Sequence, residues 1–159
     1  MIRIGLCLAF DSKQNAKEKS SRFAIQNVQT GKNLRPFEAG KANGNKLVLY
    51  HHHRWKCMTW ELIKVENETF RMQNQYTLKS FQTAGQPVAN AKLLQQPLTD
   101  KAREWELIKQ SNDEYLIKLK GTELYISISK DETNSEIILL PRKGTKDQLW
   151  RLVKQNPII

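Results

Sequence analysis

The chain has 159 residues, of which 26 are Lys or Arg and 16 are Asp or Glu, so its formal net charge is +10. This length allows one domain whose core needs no disulfide or metal. The charge favours anionic partners, although scattered lysines also keep small domains soluble and no block of five like charges occurs. Two cysteines exclude a disulfide framework, no His or Cys pair has zinc-ligand spacing, and no apolar run is long enough to span a membrane.

The first 21 residues differ in character from the rest. In the stretch IRIGLCLAF, Arg3 precedes seven largely apolar residues, and the polar run DSKQNAKEKSS follows. A signal peptide has a similar apolar core, but no small-x-small cleavage site precedes Asp11. We expect residues 1–21 to be a leader, either a signal-peptide remnant, a disordered end or a first strand, ahead of a single domain at 22–159. A signal peptide would predict a secreted or cell-envelope protein, and a cytoplasmic one is the alternative.

A repeat of 45 residues runs through the remainder of the chain. MTWELIKV and REWELIKQ are nearly identical, and QLWRLVKQ follows them, so that Trp60, Trp105 and Trp150 are equally spaced. A fixed period of this length indicates a repeated supersecondary unit. The three copies are predicted at residues 22–65, 66–110 and 111–155.

Each copy contains four short apolar runs that are typical of strands. The first runs alternate, the third are continuous, and the fourth begin with the tryptophans. The second runs are predicted to end at Leu34, Leu78 and Leu124. The first and third runs are RFAIQN, TFRMQN and EYLIKL, then KLVLY, KLLQQ and EIILL. No helical periodicity is sustained, so twelve strands and an all-β fold are predicted.

Three four-stranded units can close in more than one way. Propellers usually have four or more blades, so three units fit a β-trefoil better, in which each unit gives two strands to a barrel and two to a hairpin cap. The inward side chains of the fourth strands should then meet on the pseudo-threefold axis. The predicted core residues are Trp60, Leu62, Trp105, Leu107, Trp150 and Leu152.

The repeat resembles that of the ricin B-type β-trefoil lectins over about residues 22–155. Their Gln-x-Trp signature is intact as Gln148, Leu149 and Trp150, whereas Met58 and Arg103 replace the glutamine in the first two copies. The resemblance implies a β-trefoil that binds carbohydrate and has no catalytic activity. Consistent with this, no nucleophile elbow, phosphate-binding loop or paired metal-ligand motif occurs.

The resemblance also implies where sugars would bind, and here the sequence departs from the family pattern. The family uses an Asp after the second-strand leucine, an aromatic residue at the end of the third strand and an Asn before the Gln-x-Trp. A carboxylate accepts two hydrogen bonds, and a flat ring covers the apolar face of a sugar. The Asp positions hold Arg35, Lys79 and Tyr125; the aromatic positions hold Tyr50, Gln95 and Leu140; the Asn positions hold Cys57, Ala102 and Asp147.

The first copy is the richest in candidate binding groups, with LYHHHRWKC placing Tyr50, three histidines and Trp55 close together. Either Tyr50 or Trp55 stacks on a sugar while Arg35 and the histidines bind hydroxyl or acidic groups, or the aromatic rings plug the barrel mouth. Leu47 and Leu49 should face the core, so Val48 and Tyr50 should face outward. The predicted carbohydrate-binding residues are Arg35, Tyr50, His52, His53, Trp55, Lys79 and Asp147.

Three classes of partner follow from these features. A glycan or polysaccharide is the first, with a preference for anionic glycans because Arg35 and Lys79 occupy Asp positions. A protein partner is the alternative if the sugar sites are lost. Nucleic acid is disfavoured because the basic residues are spread over all copies with few neighbouring aromatics. No cofactor is predicted, and a metal is disfavoured because at most His51 and His53 of the histidine run converge.

Overall fold

A computed structural model describes residues 21–159, so all but the last residue of the leader expected at residues 1–21 lies outside the described part. Twelve strands follow one another in three groups of four, as the repeat predicted. They are β1 (Arg22–Asn27), β2 (Asn33–Pro36), β3 (Leu47–Tyr50), β4 (Trp60–Glu66), β5 (Thr69–Asn74), β6 (Ser80–Thr83), β7 (Leu93–Gln96), β8 (Trp105–Ser111), β9 (Glu114–Leu119), β10 (Tyr125–Ile128), β11 (Ile137–Leu140) and β12 (Trp150–Lys154).

The first and fourth strands of the three repeats form a closed antiparallel barrel. Strand β1 pairs with β12 and β4, β5 pairs with β4 and β8, and β9 pairs with β8 and β12. Each of the six strands therefore has two neighbours, and the barrel has no free edge. Within this sheet the predicted inward residues Ile25, Met72 and Ile117 are fully buried, but the predicted alternation is incomplete because Ala24 and Leu116, on the opposite side of their strands, are buried as well.

The second and third strands form three hairpins that cap one end of the barrel. Strands β2 and β3, β6 and β7, and β10 and β11 pair within their own repeats. Single bridges join the hairpins to one another, at Lys46 to Leu94, Val48 to Glu136, and Lys92 to Ile138. The barrel and cap together are the predicted β-trefoil.

The three tryptophans of the repeat share one core. Trp60, Trp105 and Trp150 are at most 1% exposed and belong to a single apolar cluster, where Phe81 lies between the first two with ring centroids 5.3 and 5.2 Å away. Leu62 and Leu107 are buried beside them, whereas Leu152 is only partly buried. Burial of three indoles accounts for much of the apolar area that holds the fold together.

The second-strand leucines were predicted to be equivalent, and that register is wrong in two of the three repeats. The residues equivalent to Leu34 are Phe81 and Ile126, because Leu34, Phe81 and Ile126 each occupy the second position of a cap strand and belong to the core cluster. Leu78 instead lies in the turn before β6, where it is 61% exposed and has a left-handed φ of 61°. Gly31 has the same turn position in the first repeat, with φ of 72°.

Helical structure in the described part is limited to three short 3-10 turns. They span Phe37–Ala39, Lys56–Met58 and Lys146–Gln148, and the last two lie directly before the tryptophans of β4 and β12. No helix within residues 21–159 has the length and apolar character needed to cross a membrane.

Candidate functional site

The first repeat places a buried arginine on an aromatic ring. Arg35 on β2 lies opposite Val48, and Tyr50 is two residues further along β3, so the two side chains are diagonal neighbours on one face of the hairpin. The Arg35 guanidinium carbon is 3.6 Å from the centroid of the Tyr50 ring, and Arg35 is only 8% exposed. A guanidinium at this distance is held by a cation–π contact. One face of the Tyr50 ring is therefore covered by the Arg35 guanidinium.

Arg35 has no acidic partner. No carboxylate of residues 21–159 lies within 4.0 Å of its guanidinium, and its Nε is buried without a hydrogen-bond acceptor. The guanidinium does contact the Cys57 thiol. Burial raises the pKa of that thiol above its ordinary 9.0, and the neighbouring arginine opposes the rise only in part. A buried cation without an anion is costly, so this side chain is suited to a ligand that brings the negative charge.

The loop after β3 carries the other aromatic groups of the cluster. The rings of His53 and Trp55 stack with centroids 4.0 Å apart and planes at 9°, and the Trp55 ring is 6.3 Å from Tyr50. His52 Nδ1 is 2.8 Å from the amide nitrogen of Asn33, so the ring is tied to β2. The predicted residues Arg35, Tyr50, His52, His53 and Trp55 thus form one connected cluster.

The histidine run does not converge on a common point. His51 Nε2 lies 3.2 Å from the Thr133 hydroxyl of the third repeat, whereas His52 contacts Asn33 and His53 stacks on Trp55. No group of three potential metal ligands occurs within residues 21–159.

Val48 does not face solvent as predicted. It is fully buried, although Leu47 and Leu49 also face the core as expected. The reason is that the cap hairpins pack against one another, and Val48 forms the bridge to Glu136 of the third repeat. Both faces of the first cap hairpin are therefore buried at this point. An antiparallel sheet with one solvent-exposed face would bury only alternate residues.

Beside this cluster lies a small apolar cleft of about 190 Å³. It is lined by Ala39, Trp55, Cys57, Tyr76 and Ile159. The segment at 155–159 runs along the loop and places Ile159 there: Ile158 N donates to Arg54 O at 3.1 Å, and the Gln155 amide donates to the Thr59 hydroxyl at 2.7 Å. The sequence did not identify Tyr76, which is 44% exposed in the turn after β5. An aromatic residue in an otherwise polar turn was the available signal.

Lys79 is not equivalent to Arg35. The strand register makes Lys79 equivalent to Lys32, because Lys79 is two residues before Phe81 as Lys32 is two residues before Leu34. The residues equivalent to Arg35 are Gln82 and Ser127. The Lys79 ammonium donates to the carbonyl oxygen of Lys41. The Lys41 ammonium in turn lies 4.5 Å from the centroid of the Tyr76 ring.

The corresponding site of the third repeat is closed by its own residues. The Asp147 carboxylate accepts a hydrogen bond from Lys143 Nζ at 2.7 Å and another from the Thr145 hydroxyl. Burial, the largest single influence, raises the pKa of Asp147, but Lys143 and Thr145 outweigh it and lower the pKa below its ordinary 3.8. Asp147 is therefore separated from the first-repeat cluster and already has its partners.

The signature glutamine of this repeat is also fully engaged. Gln148 Nε2 donates to the Ser127 hydroxyl at 3.0 Å and to Pro141 O at 2.9 Å, and its Oε1 accepts from Lys143 N at 2.8 Å. The aromatic position here is Leu140. At the family positions, this repeat therefore has no ring, and its Asp147 carboxylate and Gln148 amide are already hydrogen-bonded.

The second repeat has no aromatic residue at the family position either. The residue level with Tyr50 is Gln96, not Gln95 as predicted. Gln95 points into the cap, where its amide donates to Gly40 O and Ala42 O at 2.9 Å each. The spacing between the second and third strands differs among the repeats, so a count along the sequence misplaced this residue by one.

The three-dimensional structure is similar to solved β-trefoils. A Macrolepiota procera ricin B-like lectin in complex with lactose has a TM-score of 0.73 and 14% identity, covering 85% of this chain and 96% of that one. The designed threefold-symmetric protein ThreeFoil has a TM-score of 0.80 and 15% identity, covering 84% and 99%. The fold is that of the ricin B-like β-trefoils. No family model and no curated protein sequence matches the chain.

A second kind of neighbour of this ricin B-like β-trefoil is a toxin chain. The cytolethal distending toxin of Actinobacillus actinomycetemcomitans contains a chain with a TM-score of 0.71 and 22% identity to this one, over 89% of this chain and 95% of that one. At such identities, similarity establishes the fold and not the ligand.

Proposed function

We propose that the protein is a non-enzymatic, lectin-like module that binds anionic glycans through its first repeat. The observation that carries the proposal is Arg35, a buried guanidinium on the Tyr50 ring with no carboxylate near it. A sulfate or uronate group would supply the missing anion, and arginine presents a fork of donors that matches either group.

Two further features support a glycan as the ligand. The first repeat has three rings close together near its surface, because Tyr50, His53 and Trp55 are all half-buried there, whereas the third repeat has Leu140 at the family position and closes around Asp147. A ricin B-like lectin of the same fold was solved with lactose. Here Arg35 replaces the family's acidic residue, which moves the preference from neutral to acidic sugars.

A glycan array at two salt concentrations tests the proposal. Sulfated or uronic-acid glycans should give the strongest signals, and these should weaken between about 0.1 and about 1 M salt as the Debye length falls from about 10 to about 3 Å. The variant Arg35→Gln should lose about tenfold in affinity because a charge-assisted hydrogen bond is removed. The matched control is Arg103→Gln, which removes an exposed arginine of the second repeat. Signals confined to neutral galactosides would contradict the proposal.

The rest of the proposal concerns location. A lectin that meets polysaccharides acts outside the cytoplasm, so we infer a secreted or cell-envelope protein whose residues 1–21 act as a leader. Mass spectrometry of the native N-terminus tests this inference. A mature chain that begins after residue 20 supports it, and a chain that retains Met1 contradicts it.

A protein-binding β-trefoil is the second candidate. It is favoured by the third repeat, where Lys143, Thr145 and Ser127 already occupy the polar groups of the ancestral sugar site. A chain of similar fold is also found in a cytolethal distending toxin. Capture of partners from a native extract, with and without glycosidase treatment, separates the two candidates. Retention after treatment favours a protein ligand, and loss favours a glycan.

A further inference from the structure

The cleft beside the first-repeat cluster differs in chemistry from the surface around it. Its lining is carbon and sulfur, from Ala39, Trp55, Cys57, Tyr76 and Ile159. His53 stacks on one face of the Trp55 ring, so the remaining part of the indole forms a fixed wall of the cleft. The volume of about 190 Å³ is below the range of roughly 300–1,000 Å³ that drug-sized ligands need, so the cleft admits one small apolar group.

Positive charge lies next to this apolar cleft. The Lys41 ammonium is 4.5 Å from the centroid of the Tyr76 ring that lines it, and Lys79 is hydrogen-bonded to the carbonyl of Lys41. Neither ammonium has a carboxylate within 4.0 Å among residues 21–159. Arg35 lies near Cys57, which lines the cleft. Cations beside an apolar cleft raise the local concentration of a ligand that is negatively charged.

We propose that this cleft binds the N-acetyl group of an acidic glycan whose one acid group lies at Arg35, with the acid group of a neighbouring sugar at Lys41 and Lys79. The inference rests on the proposed function and adds a position and a ligand class to it. Arg35 covers one face of the Tyr50 ring, so the N-acetyl sugar lies instead between Trp55 and Tyr76. A methyl group suits an apolar lining, whereas a sugar hydroxyl placed there would lose its hydrogen bonds to water.

Four oligosaccharides of similar length separate the two parts of the ligand. A hyaluronan tetrasaccharide carries N-acetyl and uronate groups on alternating sugars, its N-formyl analogue lacks only the acetyl methyl group and stays uncharged at that nitrogen, an oligogalacturonate has acid alone, and chitotetraose has N-acetyl alone. Calorimetric titration of the full chain should give the tightest binding for the hyaluronan tetrasaccharide. We expect about tenfold weaker binding for the other three, because each loses either the apolar contact or the charge contact.

Two variants place the ligand on the molecule. Tyr76→Ala removes a wall of the cleft and should weaken the hyaluronan tetrasaccharide about tenfold. Lys41→Gln should weaken it by a smaller factor that vanishes at high salt. The controls are Val88→Ala and Lys101→Gln, which alter an exposed apolar residue and an exposed lysine of the second repeat. Tyr76 and Lys41 are themselves exposed, so all four variants should keep the thermal midpoint of the parent chain.

The outcomes distinguish this inference from the proposed function. Equal binding of oligogalacturonate and hyaluronan, with Tyr76→Ala unchanged, would overturn the N-acetyl cleft while leaving an anionic-glycan lectin in place. Chitotetraose that binds as tightly as hyaluronan would overturn the role of the lysines. No binding of any oligosaccharide would overturn both proposals.

Discussion

The first and third repeats have the same backbone and opposite polar chemistry. In the third repeat, Asp147 and Gln148 find all their partners in neighbouring residues. In the first repeat, Met58 replaces the glutamine and is fully buried, while Arg35 Nε and Asn33 Oδ1 are buried without partners. Buried polar groups are almost always paired, so an unpaired one needs an explanation, and at Arg35 the explanation that we propose is a ligand.

A signature residue can therefore have a purely structural role. The intact Gln-x-Trp of the third repeat holds β10 to the loop before β12 through Ser127 and Pro141. The degenerate first repeat has lost that link and gained a basic aromatic cluster. The repeat that best matches the family motif, the third, is thus the one whose Asp147 and Gln148 side chains are already bonded within the chain.

The largest expected effect comes from making the third repeat like the first. Gln148→Met removes two donated bonds and one accepted bond, and leaves Pro141 O and Lys143 N without their partner. We expect a loss of about 1–3 kcal/mol in the free energy of unfolding, measured by urea denaturation. The control Gln86→Met, at an exposed position of the second repeat, should change stability little. An equal loss in both variants would refute the structural role of Gln148.

A smaller gain is expected when the turn of the second repeat is made like that of the first. Leu78 has a left-handed φ of 61° where the first repeat has Gly31. A side chain is strained in that region, so Leu78→Gly should raise the free energy of unfolding by about 1 kcal/mol. The reverse change, Gly31→Ala, should lower it, because no atom crowds the added Cβ but its φ of 72° is unfavourable. Stability that falls in the first variant would show that the turn tolerates Leu78 without strain.

The smallest effect concerns pH and the third repeat alone. Because the pKa of Asp147 is lower in the folded chain than its ordinary 3.8, the ionised carboxylate stabilises the fold above that pH. This contribution is lost as the pH falls through the folded-state pKa. Asp147→Asn should therefore be less stable than the parent chain at neutral pH, and the difference should close in acid. Asp100→Asn, at an exposed position, is the control. A difference that persists unchanged at low pH would exclude the carboxylate as its cause.

Much of the fold could be predicted because large apolar residues recur at the same positions of each repeat. The first-strand hexamers correspond to the observed β1, β5 and β9, and Trp60, Trp105 and Trp150 meet in one core. Alternation along barrel strands follows directly from burial of one face. A further signal went unused. Leu34, Phe81 and Ile126 each lie nine positions after a buried first-strand residue, namely Ile25, Met72 and Ile117. That constant spacing identifies the second strands, where a search for leucines selected Leu78.

The candidate site was predicted only in part. Arg35, Tyr50, His52, His53 and Trp55 are adjacent in sequence or across one hairpin, so the sequence could group them. Asp147 was predicted at the corresponding position of the third repeat, and its place in the motif does not reveal that Lys143 and Thr145 bind it. Tyr76 and Lys41 were missed, because they belong to different repeats and meet only when the barrel closes.

The strand count, the threefold repeat and the identity of the axial tryptophans can be read from the amino-acid sequence. These features depend on the periodic spacing of apolar residues, which shows which side chains are buried. Only the folded structure shows which repeat has half-buried rings beside an apolar cleft. That arrangement depends on residues far apart in the chain, such as Lys41, whose ammonium lies over the Tyr76 ring, and Ile159, which lines the same cleft as Trp55. The physical reason is that hydrophobic burial is non-directional and readable from composition, whereas pairing of polar and charged groups depends on distances of a few ångströms that only the folded chain fixes.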